Sequence, residues 1–578
     1  MEKSEKTKWM IDFTFSQIGA FATLLALALW GLAALGTNLV TLSGAMDIEI
    51  IYFGTIIIMF CVLGPLYWKR FRWSYVAGIG LIIIGFFGGA GLAAWSRILF
   101  FSVSVYNLSI ILFYIIAIAG IYFSYRSYKE LPHIPKRKTI IGVGIIGLIA
   151  VVTGAVLWSN SGLISKYMLE TNLQNIDNQL QNLQTLDEKI QYLMMEGHIP
   201  SLVAGIVVND SLVWSRGYGA CSQDNVYLIG SITKPFVATA VLQLYERNLI
   251  DLDDDVNKYL PFNMRHPEYP NKPITIRMLL SHQSGLAHYN PAHYNYFCYI
   301  EDQEILRWLS ENCGIDIISY SPYPSFAEFL EGYLTPNGPY YSPYAWTTSE
   351  PGTEFFYSSP GYDILGYIVE RVTNQTFTDY LQEKILDPLN MTSTGFSVSD
   401  SPGKQAIPYE RVFGVLSKTN VELPLYDRHR IGGGGMRSTV PDLAQFLIAH
   451  MNQGQTRGFQ LLKPETVELM HKQTVSFSDQ SLMVGYGLGW FHLSNETYKH
   501  HYFHGAQGHG GDNWGFTCQM WFVEKERGAY GIILLTNLNR NIKDDNLHTL
   551  ATGLKIQDLL LQEASARFTQ SARPQIAG

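Results

Sequence analysis

A serine and a lysine stand three positions apart at Ser231 and Lys234, in the tetrapeptide S-x-x-K. A serine hydroxyl is a poor nucleophile until a neighbouring base takes its proton. Residues i and i+3 lie on the same helical face, so the helical pattern that follows predicts Lys234 beside Ser231, with Pro235 tolerated in the first turn. At a helix start the backbone N–H of Ser231 is unpaired and can stabilise an oxyanion.

The tetrapeptide alone has low specificity, because it occurs again at Ser401 and Lys404. That copy falls in an Asp-Ser-Pro-Gly turn, which cannot hold the serine and the lysine on one helical face. The assignment of Ser231 as a nucleophile therefore depends on partner residues elsewhere in the chain.

The composition of the 578-residue chain excludes several function classes. The net charge is -8 and there is no basic block, which argues against a nucleic-acid partner. Five cysteines are too few for a disulfide scaffold. Cys298 and Cys313 are close enough in sequence to form a bridge, but they fit free thiols equally well.

A cluster of histidines near the end of the chain could instead indicate a metal site. Its members are His500, His501, His504 and His509. The chain has no H-E-x-x-H motif, so we expect no metal and no other cofactor. It also has no G-x-S-x-G motif, which argues against an α/β-hydrolase.

The first 160 residues contain apolar segments long enough to cross a bilayer, which needs roughly 20 residues. Five such segments are Phe13–Leu35, Ile50–Trp68, Tyr75–Trp95, Ile98–Phe123 and Thr139–Trp158. The Lys/Arg bias of the short loops predicts a cytoplasmic N-terminus and an extracytoplasmic location for everything after Trp158. No span carries a charged residue near its middle, which favours an anchor, or a bundle that docks a membrane-protein partner, over a transporter.

The remaining chain has strands at both ends and helices between them. We predict a mostly polar connector and an amphipathic helix over 161–198, in which the helix covers Ile176–Glu196, then a globular domain over 199–564 and a tail over 565–578. The globular domain begins with a strand–turn–strand pair and ends with two strands and a helix over Leu547–Glu563. This order predicts an antiparallel sheet flanked by helices, with a helical lobe, of the α+β class.

Segments spread over this domain resemble the serine β-lactamase and penicillin-binding-protein group, in the branch that holds class C β-lactamases, DD-peptidases and esterases. They are Tyr227–Phe236, Asp251–Pro261, Ile274–Leu286, Phe356–Gly366, Ile385–Thr392, Gly434–Ala444 and Tyr486–Trp490. The resemblance implies a β-lactamase-like α/β (α+β) fold, preceded here by an all-α transmembrane bundle of five helices.

The second motif of that family is Tyr357-Ser358-Ser359 in this chain. The resemblance implies that Tyr357 and Lys234 carry the proton from Ser231 to the leaving group, because a neighbouring ammonium favours the phenolate form of a tyrosine. Ser359 occupies a position where asparagine is common, so an amide that would hold substrate is lost.

The third motif is His509-Gly510-Gly511. The glycine pair lets a substrate backbone approach the strand, and the backbone N–H of Asp512 is, by position, the second oxyanion donor. Typical β-lactamases carry lysine where this chain has His509. Histidine is charged only part of the time near neutral pH, so the clamp for a substrate carboxylate is weakened, which favours peptidase or esterase chemistry. We expect His509 to be a catalytic residue that orients the substrate or assists proton transfer.

These features predict a membrane-anchored serine hydrolase that acts through an acyl-enzyme on small peptides, amides or esters, with its site outside the cytoplasm. Two alternatives stay open. One is a non-catalytic or slowly turning over sensor of the penicillin-binding type. The other is a maturation peptidase for a membrane-associated precursor, in which the lipid bilayer and the spans help to present the substrate.

Overall fold

The structure, a computed structural model, describes residues 161–288, 325–413, 418–423, 432–477, 483–493, 505–539 and 547–571, with 307 and 425 singly. The five apolar segments predicted as spans lie outside these ranges, as do Cys298, Cys313, His500, His501 and His504. Within the described ranges, no helix combines the length and the apolar character that crossing a bilayer requires.

The main structural element is an eight-stranded antiparallel sheet with the strand order β2-β1-β14-β13-β12-β11-β10-β9. Its strands are β1 (Ser201–Val208), β2 (Ser211–Gly219), β9 (Val475–Ser476), β10 (Met483–Tyr486), β11 (Phe491–Leu493), β12 (Ala506–Asn513), β13 (Phe516–Lys525) and β14 (Gly528–Thr536). Three two-stranded ladders accompany it: β3 (Tyr227–Leu228) with β6 (Arg437–Ser438), β4 (Tyr409–Phe413) with β5 (Lys418–Glu422), and β7 (Gln455–Thr456) with β8 (Phe459–Gln460).

The first and last strands of the domain pair with each other, since β1 lies beside β14 with Val203 opposite Leu535. Every residue of β1 is buried, which is the pattern of a strand covered by other elements on both faces. The strand–turn–strand pair predicted at the start of the domain is the β1–β2 hairpin, with its turn at Asn209 and Asp210. The antiparallel sheet with helices packed on it confirms the predicted fold class for the described domain.

The helices of the described part are α1 (Ser161–Leu180), α2 (Leu186–Glu196), α3 (Thr233–Glu246), α4 (Ile276–Leu280), α5 (Phe326–Leu334), α6 (Ser359–Thr373), α7 (Phe377–Leu381), α8 (Val440–Met451), α9 (Pro464–His471) and α10 (Leu547–Ser571). Helix α8 packs closely on β1, because a Cβ at Gly205 would lie 2.4 Å from Val440. Phe446 of α8 stacks on Phe236 of α3 at 3.7 Å between ring centroids, so α8 lies between the sheet and the helix that carries Lys234.

The predicted bounds of the connector and of the helix that follows it are wrong. The polar connector is helical, because Leu173, Ile176 and Leu180 are buried at the three- and four-residue spacing of a helix face. The predicted helix over 176–196 is broken in two where Thr185 caps α2, its side chain and that of Glu188 forming a reciprocal capping box.

The C-terminal helix is longer than predicted, since α10 continues to Ser571 instead of ending near Glu563. The predicted tail over 565–578 is therefore helical over its first residues. The chain divides into two compact units, Met1–Asn172 with Asn541–Leu547, and Leu173–Arg540 with His548–Gly578. The sheet and the site described below belong to the second unit.

Candidate active site

Ser231 lies in a short 3₁₀ helix, Gly230–Ile232, that joins strand β3 to helix α3. Gly230 has φ +57°, a left-handed backbone conformation that glycine adopts at little cost. The Thr233 hydroxyl donates to the Gly230 carbonyl at 2.7 Å, which closes the turn. Ser231 is half-buried at this turn, so its hydroxyl is fixed by the backbone yet open to a substrate.

Lys234 lies on the first turn of α3 and is fully buried. Its ammonium donates to Ser231 Oγ at 3.0 Å, to Ser359 Oγ at 3.1 Å and to the Gly433 carbonyl at 2.7 Å. The ammonium has three N–H donors, and these contacts give each one an acceptor. The sequence prediction placed Lys234 beside Ser231, and the structure brings the two together.

A buried carboxylate fixes the loop that supplies the third acceptor. Asp363 of α6 is fully buried and accepts from the backbone N–H groups of Gly432 and Gly433 through the same oxygen, at 3.0 and 2.6 Å. These two bonds orient the Gly433 carbonyl toward Lys234. Asp363 thus acts on the site through the backbone.

Tyr357 and Ser359 come from the segment that enters α6. The Lys234 ammonium lies 4.9 Å from the centroid of the Tyr357 ring, within the range of a cation–π contact. Tyr357 is half-buried, whereas Ser359 is fully buried. The structure therefore places Ser359 on Lys234 and away from solvent, a position that suits holding the lysine better than holding a substrate.

The glycine-rich strand β12 lies against the nucleophile turn. A Cβ at Gly511 would lie 1.9 Å from the Ile229 carbonyl oxygen and 2.9 Å from the Ser231 backbone nitrogen. A Cβ at Gly230 would lie 2.9 Å from the Asp512 backbone nitrogen. The backbone nitrogens of Ser231 and Asp512 are therefore neighbours, as an oxyanion hole built from both requires. Gly510 is half-buried beside them.

His509 is 1% exposed, and its ring points into the domain. Nε2 lies 3.4 Å from the Tyr486 hydroxyl and Nδ1 lies 2.6 Å from the Gly510 carbonyl. Burial, with a smaller contribution from the Lys234 charge, lowers the pKa of His509 to about 3. Its imidazole is thus neutral at physiological pH and supplies no positive charge to a substrate.

The second S-x-x-K copy has none of this geometry. Ser401 is fully buried and donates to the Ser397 carbonyl, and Gly403 has φ +137° in a non-helical turn. Ser401 and Lys404 therefore do not share a helical face, in line with the turn predicted there.

Four residues at the site have no counterpart in the sequence predictions: Asp363, Gly433, His282 and His288. The sequence does contain a signal for Asp363, because it is the one charged residue in the stretch Pro360–Val369 of α6. His282 belongs to one of the family-like segments, but nothing in that segment indicates which group the imidazole contacts. Gly433 acts through its carbonyl, which the side-chain pattern of a sequence does not show. Of the residues that the structure describes, no group of three or more histidines, cysteines and carboxylates is arranged to hold a metal ion.

A match to a protein-family model identifies the family to which the sequence motifs pointed. The family model "Beta-lactamase" matches residues 186–555, which is most of the chain and includes every site residue above. The chain belongs to the beta-lactamase family. This confirms the predicted family, and with it the class of beta-lactamase-related serine hydrolases, for the domain that carries Ser231.

Individual beta-lactamase-family relatives are distant. Protein flp of Staphylococcus aureus is 27% identical over 369 residues, which are 62% of this chain and 63% of that protein. The human serine beta-lactamase-like protein LACTB, mitochondrial, is 28% identical over 47% of this chain and 58% of its own length. The chain thus spans less than two thirds of the length of these relatives.

The solved structures to which this chain is similar are likewise distant. The octameric penicillin-binding protein homologue from Pyrococcus abyssi is 24% identical and has a TM-score of 0.48, covering 64% of this chain and 77% of that one. The hydrolase EstCE1 is 20% identical, with a TM-score of 0.47, and covers 69% of this chain and all of that one.

Proposed function

We propose that this protein is a membrane-anchored serine hydrolase that cleaves amide, peptide or ester substrates through an acyl-enzyme outside the cytoplasm. The observation that carries the chemistry is the position of Lys234, whose ammonium reaches Ser231 Oγ at 3.0 Å while Ser359 and Gly433 hold it. The anchor and the extracytoplasmic location rest on the apolar segments and the Lys/Arg distribution of the sequence.

In the proposed first step, Ser231 Oγ attacks the substrate carbonyl carbon while its proton passes to the Lys234–Tyr357 pair. The carbonyl oxygen becomes an oxyanion that the backbone N–H groups of Ser231 and Asp512 stabilise. The bond to the leaving amine or alcohol then breaks, and the pair returns the proton to that group. Water, or a second amine, takes the acyl group from Ser231 in the second step.

The proposed substrate class is supported by the absence of a positive charge on the His509 side chain, which belongs to the strand that lines the site. His509 stands where typical β-lactamases carry a lysine, and it is buried with a pKa near 3. A neutral, enclosed imidazole gives a substrate carboxylate no ion-pair partner at that position. We therefore propose substrates that need no carboxylate there, such as aminoacyl amides and simple esters, and weak or absent turnover of penicillins.

A substrate panel tests the proposed activity. Wild-type protein and the Ser231→Ala variant are assayed with D- and L-aminoacyl amides, simple esters and a chromogenic β-lactam. The proposal predicts catalytic turnover of an amide or ester by wild type and none by Ser231→Ala. A single stoichiometric acylation without release of the acyl group would instead support the sensor, and turnover retained in Ser231→Ala would contradict the proposed mechanism.

Cysteine labelling in intact cells tests the proposed location. Glu526 is exposed on the turn between β13 and β14, whereas Lys6 precedes the first apolar segment. A membrane-impermeant maleimide should label Glu526→Cys above the wild-type background and leave Lys6→Cys unlabelled until the cells are opened. The reverse result would contradict the extracytoplasmic site.

A further inference from the structure

The segment that carries Tyr357 is held at the point where it becomes a helix. Helix α6 begins at Ser359, with Ser358 as its N-cap. The first backbone N–H groups of a helix have no acceptor within that helix. Here the two N–H groups that directly follow Tyr357, those of Ser358 and Ser359, are each accepted by an imidazole nitrogen.

His282 is the first of these acceptors. Its Nδ1 accepts from the Ser358 N–H at 3.0 Å, and its own carbonyl accepts from the Phe356 N–H at 2.8 Å. One residue thus binds the backbone on both sides of Tyr357. The His282 ring also lies against the Tyr357 ring, with 4.5 Å between centroids.

His288 is the second acceptor, six residues further along the same loop. Its Nδ1 accepts from the Ser359 N–H at 3.3 Å. Its ring meets the Tyr357 ring edge-on, at 5.0 Å between centroids and 71° between planes. Unlike the buried His282, His288 is half-buried, so a substitution there disturbs less of the domain interior.

We propose that His282 and His288 are positioning residues for Tyr357: each accepts one backbone N–H beyond it and packs on its ring, so that together they fix the phenol beside Lys234. This inference rests on the proposed function, in which Tyr357 takes part in proton transfer. It gives a role to His282, in the segment Leu280-Ser-His-Gln-Ser-Gly, and to His288, which follows that segment.

The role requires an imidazole with an unprotonated Nδ1, because a protonated nitrogen cannot accept an N–H. The His282 environment favours that form, since burial and, to a smaller extent, the charge of Lys234 lower its pKa well below the usual value. With Nδ1 accepting, the ring proton is assigned to Nε2. Among the residues that the structure describes, that buried nitrogen has no hydrogen-bond partner, so the hydrogen bonds of the ring within this part of the chain go to the Tyr357 segment.

Variants of His288 in the full chain separate a specific acceptor from a space-filling side chain. His288→Asn keeps an acceptor near the position of Nδ1, His288→Gln moves it toward the position of Nε2, and His288→Phe removes it while keeping a ring. A fluorophosphonate serves as the probe, and its maximal labelling rate, kinact, is measured separately from its half-saturating concentration, KI. A positioning role affects kinact, because the probe still binds but meets a misplaced proton carrier.

We expect His288→Phe and His288→Gln to lower kinact by up to about 100-fold with KI unchanged, since small misplacements of a catalytic group have effects of that size. His288→Asn should restore most of the rate. Melting temperatures show whether each variant folds, and if His288→Phe does not, the comparison of Asn with Gln decides. His282→Asn should likewise retain labelling, because asparagine tolerates the left-handed backbone at 282, where φ is +58°.

Three results overturn the inference. One is a wild-type kinact in His288→Phe or in His288→Gln, and another is an equal loss of kinact in the folded Asn and Gln variants; both leave the proposed function intact. The third, wild-type protein that does not react with the probe at all, overturns the proposed function as well.

Discussion

Gly511 lies so close to Ile229 that a side chain cannot fit between them. A Cβ at position 511 would stand 1.9 Å from the Ile229 carbonyl oxygen, against a shortest approach of about 3.0 Å for real Cβ atoms. At this contact strand β12 packs directly against the turn that carries Ser231. It also brings the Asp512 backbone nitrogen beside Gly230 and thus next to the proposed oxyanion donor of Ser231.

This contact predicts a difference between two neighbouring glycines. Gly511→Ala must push β12 away from backbone atoms that cannot yield, so it should separate the two oxyanion donors and lower the acylation rate by roughly 10²-fold. A Cβ at Gly510 would meet only the end of the Gln519 side chain, at 3.0 Å, so Gly510→Ala leaves β12 in place. Because Gly510 belongs to the glycine pair that a substrate approaches, this variant should raise KI but keep kinact close to that of wild type. Labelling rates with a fluorophosphonate measure both. Equal rates in the two variants would contradict the account of β12.

A second prediction concerns the carboxylate behind Lys234. Asp363→Ala removes the acceptor of two backbone N–H groups and releases the Gly433 carbonyl that Lys234 contacts. Leaving such groups buried and unpaired costs about 1–3 kcal/mol each, so both the melting temperature and kinact should fall. Asp363→Asn keeps one oxygen acceptor and should lie between Asp363→Ala and wild type. A wild-type kinact in Asp363→Ala would show that Gly433 does not position Lys234.

A third prediction follows from the buried histidines. Burial lowers the pKa values of His450 and His509 to about 3, and those of His282 and His471 well below the usual 6.5. Below pH 6.5 these imidazoles bind protons in the unfolded chain, whereas in the folded chain they stay neutral. Stability is therefore full above pH 6.5 and is lost progressively as the pH falls toward 3.

Denaturation of the full chain by urea at about pH 5 and about pH 7.5 measures this loss. His450 contacts the Thr239 hydroxyl and the His471 ring in the core, whereas His198 is exposed. His450→Leu should reduce the pH dependence by about 1.4 kcal/mol per pH unit, while His198→Asn should leave it unchanged. A pH dependence that is the same in all three proteins would contradict the assignment of neutral core histidines.

The elements of the fold that the sequence predicts are those that depend on a pattern within a single segment. Strands β1 and β14 are continuous apolar runs bounded by turn residues, so their existence and their place in one antiparallel sheet follow from the sequence, whereas their direct pairing does not. The part of helix α1 before Ile176 was not predicted, because its buried positions, Leu169 and Leu173, are spaced along a segment that is polar on average. The break between α1 and α2 depends on the capping box at Thr185. The spacing of apolar residues continues through this position, so that spacing alone does not reveal the break.

The candidate site likewise has residues that the sequence predicts and residues that it does not. Ser231 and Lys234 are fixed by one helical turn, so three residues of spacing were enough to place them together. The groups that hold them come from distant segments and act through the backbone: Gly433 by its carbonyl, and His282 by accepting an N–H across 76 positions. His509 matches the expected motif, but its burial, which makes it neutral, depends on Tyr486 and the surrounding fold.

The residue to which an acylating probe attaches shows directly whether Ser231 is the nucleophile. Wild-type protein, Ser231→Ala and the control Ser401→Ala are treated with a fluorophosphonate, and the modified residue is located by mass spectrometry of the digested chain. We expect one adduct per chain on Ser231 in wild type and in Ser401→Ala, and no adduct in Ser231→Ala, if Ser231 is the nucleophile. An unmodified wild-type chain, or an adduct that persists in Ser231→Ala, would contradict it.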